Sequence, residues 1–196
     1  HDRVNTPFLQ LHQSDLNKGT RIFSLGNPHD LGMTVVEGTY NGLVDHTLYE
    51  RVLFTGSLNP GMSGGPTLNR DGEVVGINVS TAGNQISFLV PVKHLWALDE
   101  SPLAATEKPE WNAQLEQQLL QHQQRYVDEL LDHDWKQEPL GAVTVPTEIA
   151  PYVKCWGDKS DDKESLYQIT SRTCHVDESL FLSGSFNTGS FRIQYR

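Results

Sequence analysis

A glycine-rich turn around a single serine constrains this chain more than any other feature of its sequence. The segment LFTGSLNPGMSGGPTLNRDGEVVGIN places Ser63 between two runs of strand-forming residues. The serine elbow of α/β-hydrolases is excluded, because that turn leads into a helix. Gly61 gives the backbone freedom to turn its own N–H and that of Ser63 toward one point, which would form an oxyanion hole for a tetrahedral intermediate. The simpler alternative is a tight turn in which only glycine fits.

The strand-like runs continue on both sides of this turn and define the first part of the chain, residues 1–98. These runs are short, rich in Val, Ile, Phe and Thr, and separated by turn residues such as Asn41-Gly42. Asp71-Gly72 between two of them is typical of a β-hairpin. The pattern predicts an antiparallel β-barrel or sandwich and no parallel βαβ units.

The rest of the chain divides into a helical connector, residues 99–138, and a small β module of unknown role, residues 139–196. Apolar residues and His122 recur at helical spacing on one face of the connector (Trp111, Leu115, Leu119, His122, Tyr126, Leu130). That spacing predicts a helix packed through one apolar stripe. The final segment returns to short strand-like runs. The predicted fold class is therefore mainly β, with one long helix before a small C-terminal β module.

Composition excludes several classes of partner. The 196 residues carry a net charge of −10, whereas a nucleic-acid partner or an anionic membrane surface requires a basic footprint. No apolar run approaches the roughly 20 residues of a membrane span. The sequence begins with His1 and not with Met, so we expect a segment upstream of it.

The two cysteines, Cys155 and Cys174, both lie in strand-like segments. They are either two buried thiols or one disulfide. We predict the disulfide, which implies an oxidising compartment. Zinc binding is disfavoured because Cys174 and His175 point to opposite faces of a strand and no second pair of ligands has the required spacing.

Three stretches resemble the HtrA/Deg branch of the trypsin-like serine proteases. They are RIFSLGNPHDLGMTVVEGTYNGLV, NPGMSGGPTLNRDGEVVGIN and ISFLVPV, and together the resemblance covers roughly residues 8–96. It implies two antiparallel β-barrels with the active site between them, of which residues 1–98 would be the second. It also implies a serine endopeptidase in which Ser63 is the nucleophile and Gly61 and Ser63 form the oxyanion hole. The catalytic His and Asp would lie on a first, N-terminal barrel, because the family order is His, Asp, Ser.

The histidines of this sequence do not supply an obvious base. None of the eight occurs in a context that resembles the catalytic histidine of the family. His29 follows the Gly-Asn-Pro turn near the expected pocket, and His12 with Asp15 forms a possible pair. We expect neither to be the base for Ser63.

The resemblance also implies a substrate pocket. No carboxylate lies between Phe54 and Ser63, so cleavage after Lys or Arg is not expected. Leu58, Thr81 and Ile86 would line a partly apolar pocket that prefers small or medium aliphatic side chains, although Leu58 is equally compatible with the core. A peptide or protein substrate would pair as an added strand along Asn78, Val79 and Ser80. This chemistry requires no metal and no cofactor.

Three functional interpretations remain open from the sequence. The first is a serine protease whose N-terminal barrel lies outside this sequence, and the second is an inactive protease-like scaffold that binds peptides or proteins. The third is a structural or assembly subunit, and an oligomer is compatible with each. Residues 139–196 do not resemble the PDZ domain that usually follows an HtrA protease domain. The family and the predicted disulfide indicate a periplasmic or secreted protein.

Overall fold

The computed structural model describes residues 7–14, 16–99, 111–160, 166, 168–176, 178–183, 186–188 and 190–196. The chain forms two compact units. The first comprises residues 1–44 and 50–103, and the second comprises residues 45–49 and 104–196. Among the described residues, no helix has the length and apolar character needed to cross a membrane.

The first unit is built on a closed antiparallel barrel of six strands in the order β1-β2-β3-β6-β5-β4. Pairing of Phe23 with Leu68 joins β1 to β4 and closes the barrel. A short helix, α1 (Lys93–Asp99), follows the last strand. The strands are β1 (Arg21–Gly26), β2 (Thr34–Leu43), β3 (Val52–Phe54), β4 (Pro66–Leu68), β5 (Val74–Gly83) and β6 (Ile86–Pro91). The mainly β fold with a trypsin-like antiparallel barrel is confirmed.

Alternation of side chains along these strands creates the barrel core. In β1, Ile22 is fully buried while Arg21 is exposed, as expected when successive side chains point to opposite faces. The buried apolar cluster consists of Ile22, Val52, Phe54, Leu58, Met62, Val75 and Leu89. Met62 is the neighbour of Ser63, so the serine turn is anchored directly in the core.

The predicted Asp71-Gly72 turn connects β4 to β5, which are paired antiparallel with Leu68 opposite Val74. Gly72 has φ +82°, a left-handed conformation that glycine adopts readily. The carbonyl oxygen of the Asn69 side chain accepts hydrogen bonds from the N–H groups of Asp71 and Glu73, both at 2.9 Å. This hairpin fixes the position of β5, which runs past Ser63.

The second unit contains the long helix α2 (Trp111–Asp132). Leu130 is buried and Tyr126 is partly buried, and both pack in the core of this unit. Leu115, which has the same helical spacing, is 49% exposed. The side chain of Trp111 lies outside the described residues. The apolar stripe predicted for the helix therefore packs through its C-terminal half.

Three small sheets lie in the described part of the second unit. Strands β9, β10 and β13 form the largest, in the order β13-β10-β9, while β7 pairs with β8 and β11 pairs with β12. Their bounds are β7 (Lys136–Leu140), β8 (Val143–Glu148), β9 (Lys154–Lys159), β10 (Thr170–Val176), β11 (Phe181–Ser183), β12 (Phe186–Asn187) and β13 (Phe191–Tyr195).

The predicted disulfide is present in the largest of these sheets. Cys155 on β9 lies directly opposite Cys174 on β10, and the two are joined with their Cα atoms 4.0 Å apart. Cys174 is fully buried in the core of the second unit, beside Ile149 and Val153. The bond therefore links the edge strand β9 to the centre of the sheet.

Candidate active site

The serine turn lies between β3 and β4, and several backbone hydrogen bonds hold it. The N–H of Met62 donates to the Asn59 carbonyl (3.1 Å), the N–H of Gly65 donates to the Met62 carbonyl (3.1 Å), and the N–H of Gly64 donates to the Asn78 carbonyl (2.8 Å). These bonds close a compact loop against strand β5. Ser63 itself is exposed, so its hydroxyl is accessible at the surface of this loop.

Gly61 adopts a conformation that few other residues can adopt. Its φ is +96°, in the left-handed region that favours glycine. A Cβ atom at this position would lie 2.4 Å from the carbonyl oxygen of Asn27, which is too close for any side chain. Both restrictions require glycine two residues before Ser63.

The same conformation leaves two N–H groups available beside the serine. Within the described ranges, neither the Gly61 N–H nor the Ser63 N–H donates a backbone hydrogen bond. Two unengaged donors flanking an exposed serine are the components that an oxyanion hole requires. These two N–H groups are the ones that the sequence analysis assigns to the oxyanion hole, and that assignment stays a prediction.

A buried asparagine supports this turn from below. Asn78 is 1% exposed, and its side-chain N–H groups donate to the carbonyls of Leu25 and Met62, both at 3.0 Å. Its side-chain oxygen accepts from the hydroxyls of Ser24 (2.8 Å) and Thr67 (2.7 Å). One side chain therefore ties β1, β4, β5 and the serine turn together.

Along the strand expected to receive substrate, Asn78-Val79-Ser80, the backbone groups differ in whether they are already hydrogen-bonded within the fold. The N–H of Asn78 is already donated to the Gly65 carbonyl at 2.9 Å, and its carbonyl accepts from Gly64. The carbonyl of Val79 accepts the Ser63 hydroxyl at 3.3 Å. Val79 is 41% exposed. The Asn78 backbone is thus occupied within the fold, and substrate pairing would begin at Val79 and Ser80.

The expected pocket residues lie in three different environments. Leu58 is 7% exposed and belongs to the barrel core, which is the alternative that the sequence left open. The Thr81 hydroxyl bonds the carbonyls of Gly83 (3.1 Å) and Ile86 (3.0 Å), so it stabilises the β5–β6 turn. Ile86 is 46% exposed and can contact a ligand.

No described histidine bonds to the Ser63 hydroxyl, which donates instead to the Val79 carbonyl. The His12 Nδ1 atom lies 2.6 Å from the Glu73 carboxylate and its Nε2 atom lies 3.2 Å from the Ser14 hydroxyl. Asp15, its suggested partner, lies outside the described residues. His29 is exposed, and its backbone N–H donates to Pro60 at 3.0 Å. That bond braces the loop beside Gly61.

Sequence reasoning did not identify the cluster around His12. Its hydrogen bond to Glu73, joined by a second from Asn69, holds the pKa of the Glu73 carboxyl below its ordinary value. His12 and Glu73 are 61 positions apart, so no local spacing could have paired them. In contrast, the supporting role of Asn78 had one available signal, a polar residue within the apolar run VVGINV.

Comparisons with known proteins agree with these features. Residues 1–77 match the family model of the trypsin-like peptidase domain. Serine protease HTRA3 of Mus musculus is 35% identical over 101 residues, which cover 46% of this chain and 22% of the relative. Serine protease Do-like HtrA of Bacillus subtilis is 39% identical over 107 residues, covering 46% of this chain and 24% of the relative.

Solved structures give a partial superposition. A serine endoprotease from Yersinia pestis is 28% identical and covers 51% of this chain and 37% of its own, with a TM-score of 0.45. The HtrA-type protease AlgW with a decapeptide is also 28% identical, covers 50% of this chain and 33% of its own, and has a TM-score of 0.46.

Residues 1–77 therefore match the trypsin-like peptidase domain, and the chain is similar to serine proteases of the HtrA branch. The chain spans less than a quarter of the length of the curated relatives described above.

Proposed function

We propose that this chain contributes the nucleophile half of an HtrA-type serine endopeptidase. The observation that carries the proposal is the Ser63 turn, in which an exposed hydroxyl lies beside two unengaged N–H groups on a barrel of the trypsin-like type. The family match and the relatives, which are serine proteases by name, support it.

In the proposed mechanism, Ser63 Oγ attacks the carbonyl carbon of a peptide bond while a histidine removes the hydroxyl proton. The N–H groups of Gly61 and Ser63 stabilise the resulting oxyanion. Collapse of the intermediate expels the amine, which receives the proton from the histidine, and leaves an acyl-enzyme on Ser63. Water then attacks this ester with the same histidine as base and releases the acid.

The histidine and its orienting aspartate would come from an N-terminal barrel that precedes these residues. The hydrogen bonds of the described histidines support this assignment. His12 is engaged with Glu73, His46 with the Pro151 carbonyl, and His122 with Tyr49. Without base and acid, only about 10³–10⁴-fold acceleration over water remains in a protease of this type. Residues 1–196 alone should therefore be nearly inert.

The substrate of this enzyme would be a peptide or protein cleaved after a small or medium aliphatic residue. Ile86 and Val79 expose apolar surface on β5 and β6. The segment from Phe54 to Ser63 contains no carboxylate to pair with Lys or Arg. The substrate backbone would pair with the Val79–Ser80 edge, beside the nucleophile.

The setting would be periplasmic or secreted. The disulfide between Cys155 and Cys174 is typical of oxidising compartments. One relative, from Chlamydia pneumoniae, is described as a probable periplasmic DegP-like endoprotease and is 36% identical over 98 residues.

Peptide hydrolysis by the full-length gene product that contains these residues tests the proposal. Ser63→Ala should remove essentially all activity, and Gly61→Ala should lower kcat by about 10²–10³-fold because it displaces one oxyanion donor. Ser190→Ala, an exposed serine in the second unit, serves as the matched control and should retain full activity.

Two results would contradict the proposal. Undiminished hydrolysis by Ser63→Ala would show that another residue is the nucleophile. Absence of hydrolysis by the folded full-length product, together with tight binding of unmodified peptides, would favour the inactive scaffold. Full activity of residues 1–196 alone would overturn the assignment of the base to another barrel.

A further inference from the structure

The turn between β1 and β2, residues 27–33, lies against the serine turn, and a backbone hydrogen bond joins the two. The N–H of His29 donates to the Pro60 carbonyl at 3.0 Å. Asn27 takes part in the same contact, since a Cβ atom at Gly61 would lie 2.4 Å from the Asn27 carbonyl oxygen. The β1–β2 turn therefore packs directly on the peptide group that joins Pro60 to Gly61.

That peptide group contains one of the two expected oxyanion donors. The Pro60 carbonyl and the Gly61 N–H lie in one rigid plane, and no peptide bond in the described part of the chain is cis. In a trans peptide, the N–H points away from the carbonyl. Because His29 holds the carbonyl on one side, the Gly61 N–H is directed to the other side, and rotation of the plane would break this hydrogen bond.

The residues that supply the hydrogen bond have an unfavourable backbone conformation. His29 has φ +52° and Asp30 has φ +58°, whereas residues other than glycine rarely adopt left-handed conformations. Residues in such a conformation persist only where surrounding contacts hold them, and they are concentrated at functional sites. The contacts that hold this turn are therefore part of what positions the His29 N–H.

The side chain of Asn27 supplies two of these contacts. Its oxygen accepts the Gly32 N–H at 2.7 Å, and its nitrogen donates to the Asp30 carboxylate at 3.1 Å. Pro28 is buried and anchors the start of the turn. Asn27 is itself exposed and does not belong to the apolar core of the barrel, so its contribution is to the shape of the turn.

We propose that Asn27 is a positioning residue for the oxyanion donor of Gly61. Its side chain stabilises the left-handed turn, and the turn places the His29 N–H on the Pro60 carbonyl. The peptide plane then keeps the Gly61 N–H directed at the oxyanion that forms when Ser63 attacks. This inference rests on the proposed function and deepens it, because it names a residue outside the serine turn on which the oxyanion hole depends.

Peptide hydrolysis by the full-length gene product tests the proposal. Asn27→Ala should lower kcat about tenfold, which is less than the loss of about 10²–10³-fold expected when an oxyanion donor is removed outright. KM should change by less than about twofold, because the affected interaction is made in the transition state and not with bound substrate. Asn17→Ala, an exposed asparagine outside both turns, is the matched control and should leave kcat unchanged.

Exchange of the two side chains provides a rescue that general disruption of the turn would not allow. In Asn27→Asp/Asp30→Asn, the carboxylate at position 27 still accepts the Gly32 N–H, and the amide at position 30 donates to that carboxylate. The double variant should recover kcat to within about threefold of the wild type. Asn27→Asp alone places two carboxylates side by side and should remain impaired.

Amide hydrogen exchange of the same proteins separates this inference from the proposed function. Asn27→Ala should raise the exchange rate of the His29 N–H about tenfold, and the double variant should reverse that change, whether or not the wild type cleaves peptides. An inactive wild type would count against the proposed function alone. Unchanged kcat, a loss confined to KM, unchanged exchange at His29, or no recovery in the double variant would each overturn the role of Asn27.

Discussion

The two compact units stabilise their interiors by different means. In the barrel, each of the six strands has a neighbour on both sides, and the buried hydroxyls of Ser24 and Thr67 donate to Asn78 on β5. All described buried polar residues lie in this unit, namely Ser24, Thr67, Asn69, Asn78 and Ser87. The described sheets of the second unit have two or three strands, and its described buried residues are apolar apart from a disulfide cysteine and Tyr152.

This difference shows which interactions hold the serine turn in a fixed position. Buried hydrogen bonds are directional, so the network around Asn78 fixes the serine turn relative to β1 and β5. Small sheets bury too little surface to hold themselves together, and the second unit compensates with a long helix and a covalent bond. The contrast predicts that hydrogen-bond variants should damage the barrel, and that disulfide variants should damage the second unit.

Asn78→Ala should have the largest effect on stability. It leaves two hydroxyls and two carbonyls without their shared partner, and we expect a loss of about 3–5 kcal/mol in the free energy of unfolding. Urea denaturation measures this loss, with Asn17→Ala, an exposed asparagine, as control. A loss no larger than that of the control would show that the network does not support the barrel.

Removal of the disulfide should affect the second unit most. The bond joins residues 19 positions apart, and closing a loop of this size contributes about 3 kcal/mol. Hydrogen exchange of Cys155→Ser/Cys174→Ser should show faster exchange in β9, β10 and β13, with β1 to β6 little changed. Adding reductant to the variant should have no further effect. An equal loss of hydrogen-exchange protection in β1 to β6 would contradict the proposed difference between the two units.

Tyr152 should make the second unit sensitive to alkaline pH. Burial, together with the nearby Glu129 and Tyr126, raises the pKa of Tyr152 from 10.0 to about 12. Because the neutral form is favoured in the folded state, its contribution to stability is present below pH 10.0 and is lost as the pH rises toward about 12. Tyr152→Phe should reduce this alkaline loss.

The hydroxyl of Tyr152 is buried without a partner among the described residues. Tyr152→Phe should therefore be neutral or stabilising at pH 7, since it removes an unsatisfied polar atom. Denaturation at neutral and alkaline pH checks both effects. A destabilised Tyr152→Phe at neutral pH would indicate that the hydroxyl is hydrogen-bonded.

Acid should have the smallest effect on stability, and it should act in both units. A hydrogen bond from His12 lowers the pKa of Glu73 in the barrel, and one from Lys136 lowers the pKa of Glu148 in the second unit, each below 4.5. Depressed pKa values stabilise the folded state above pH 4.5 and lose that contribution as the pH falls through the folded value. Glu73→Gln and Glu148→Gln should each reduce the acid dependence of unfolding, and an unchanged dependence would show that these pairs contribute nothing.

The sequence predicted the features that depend on local pattern. Strand periodicity, the Asp71-Gly72 hairpin and the glycine turn at Ser63 indicated the barrel, and the contact between Cys155 and Cys174 followed from their strand-like context. Tertiary packing decided what the pattern could not. A leucine suits a substrate pocket and a core equally well, so the sequence could not place Leu58. The structure shows that it is buried in the barrel. The pairing of His12 with Glu73 joins distant segments and has no local signature.

The most direct test of the account is labelling by a fluorophosphonate of the full-length gene product, followed by peptide mapping. The account predicts one adduct on Ser63, abolished by Ser63→Ala and strongly reduced by Gly61→Ala, with residues 1–196 alone remaining nearly unlabelled. A folded full-length product without an adduct on Ser63 would contradict the claim that this turn holds an activated nucleophile.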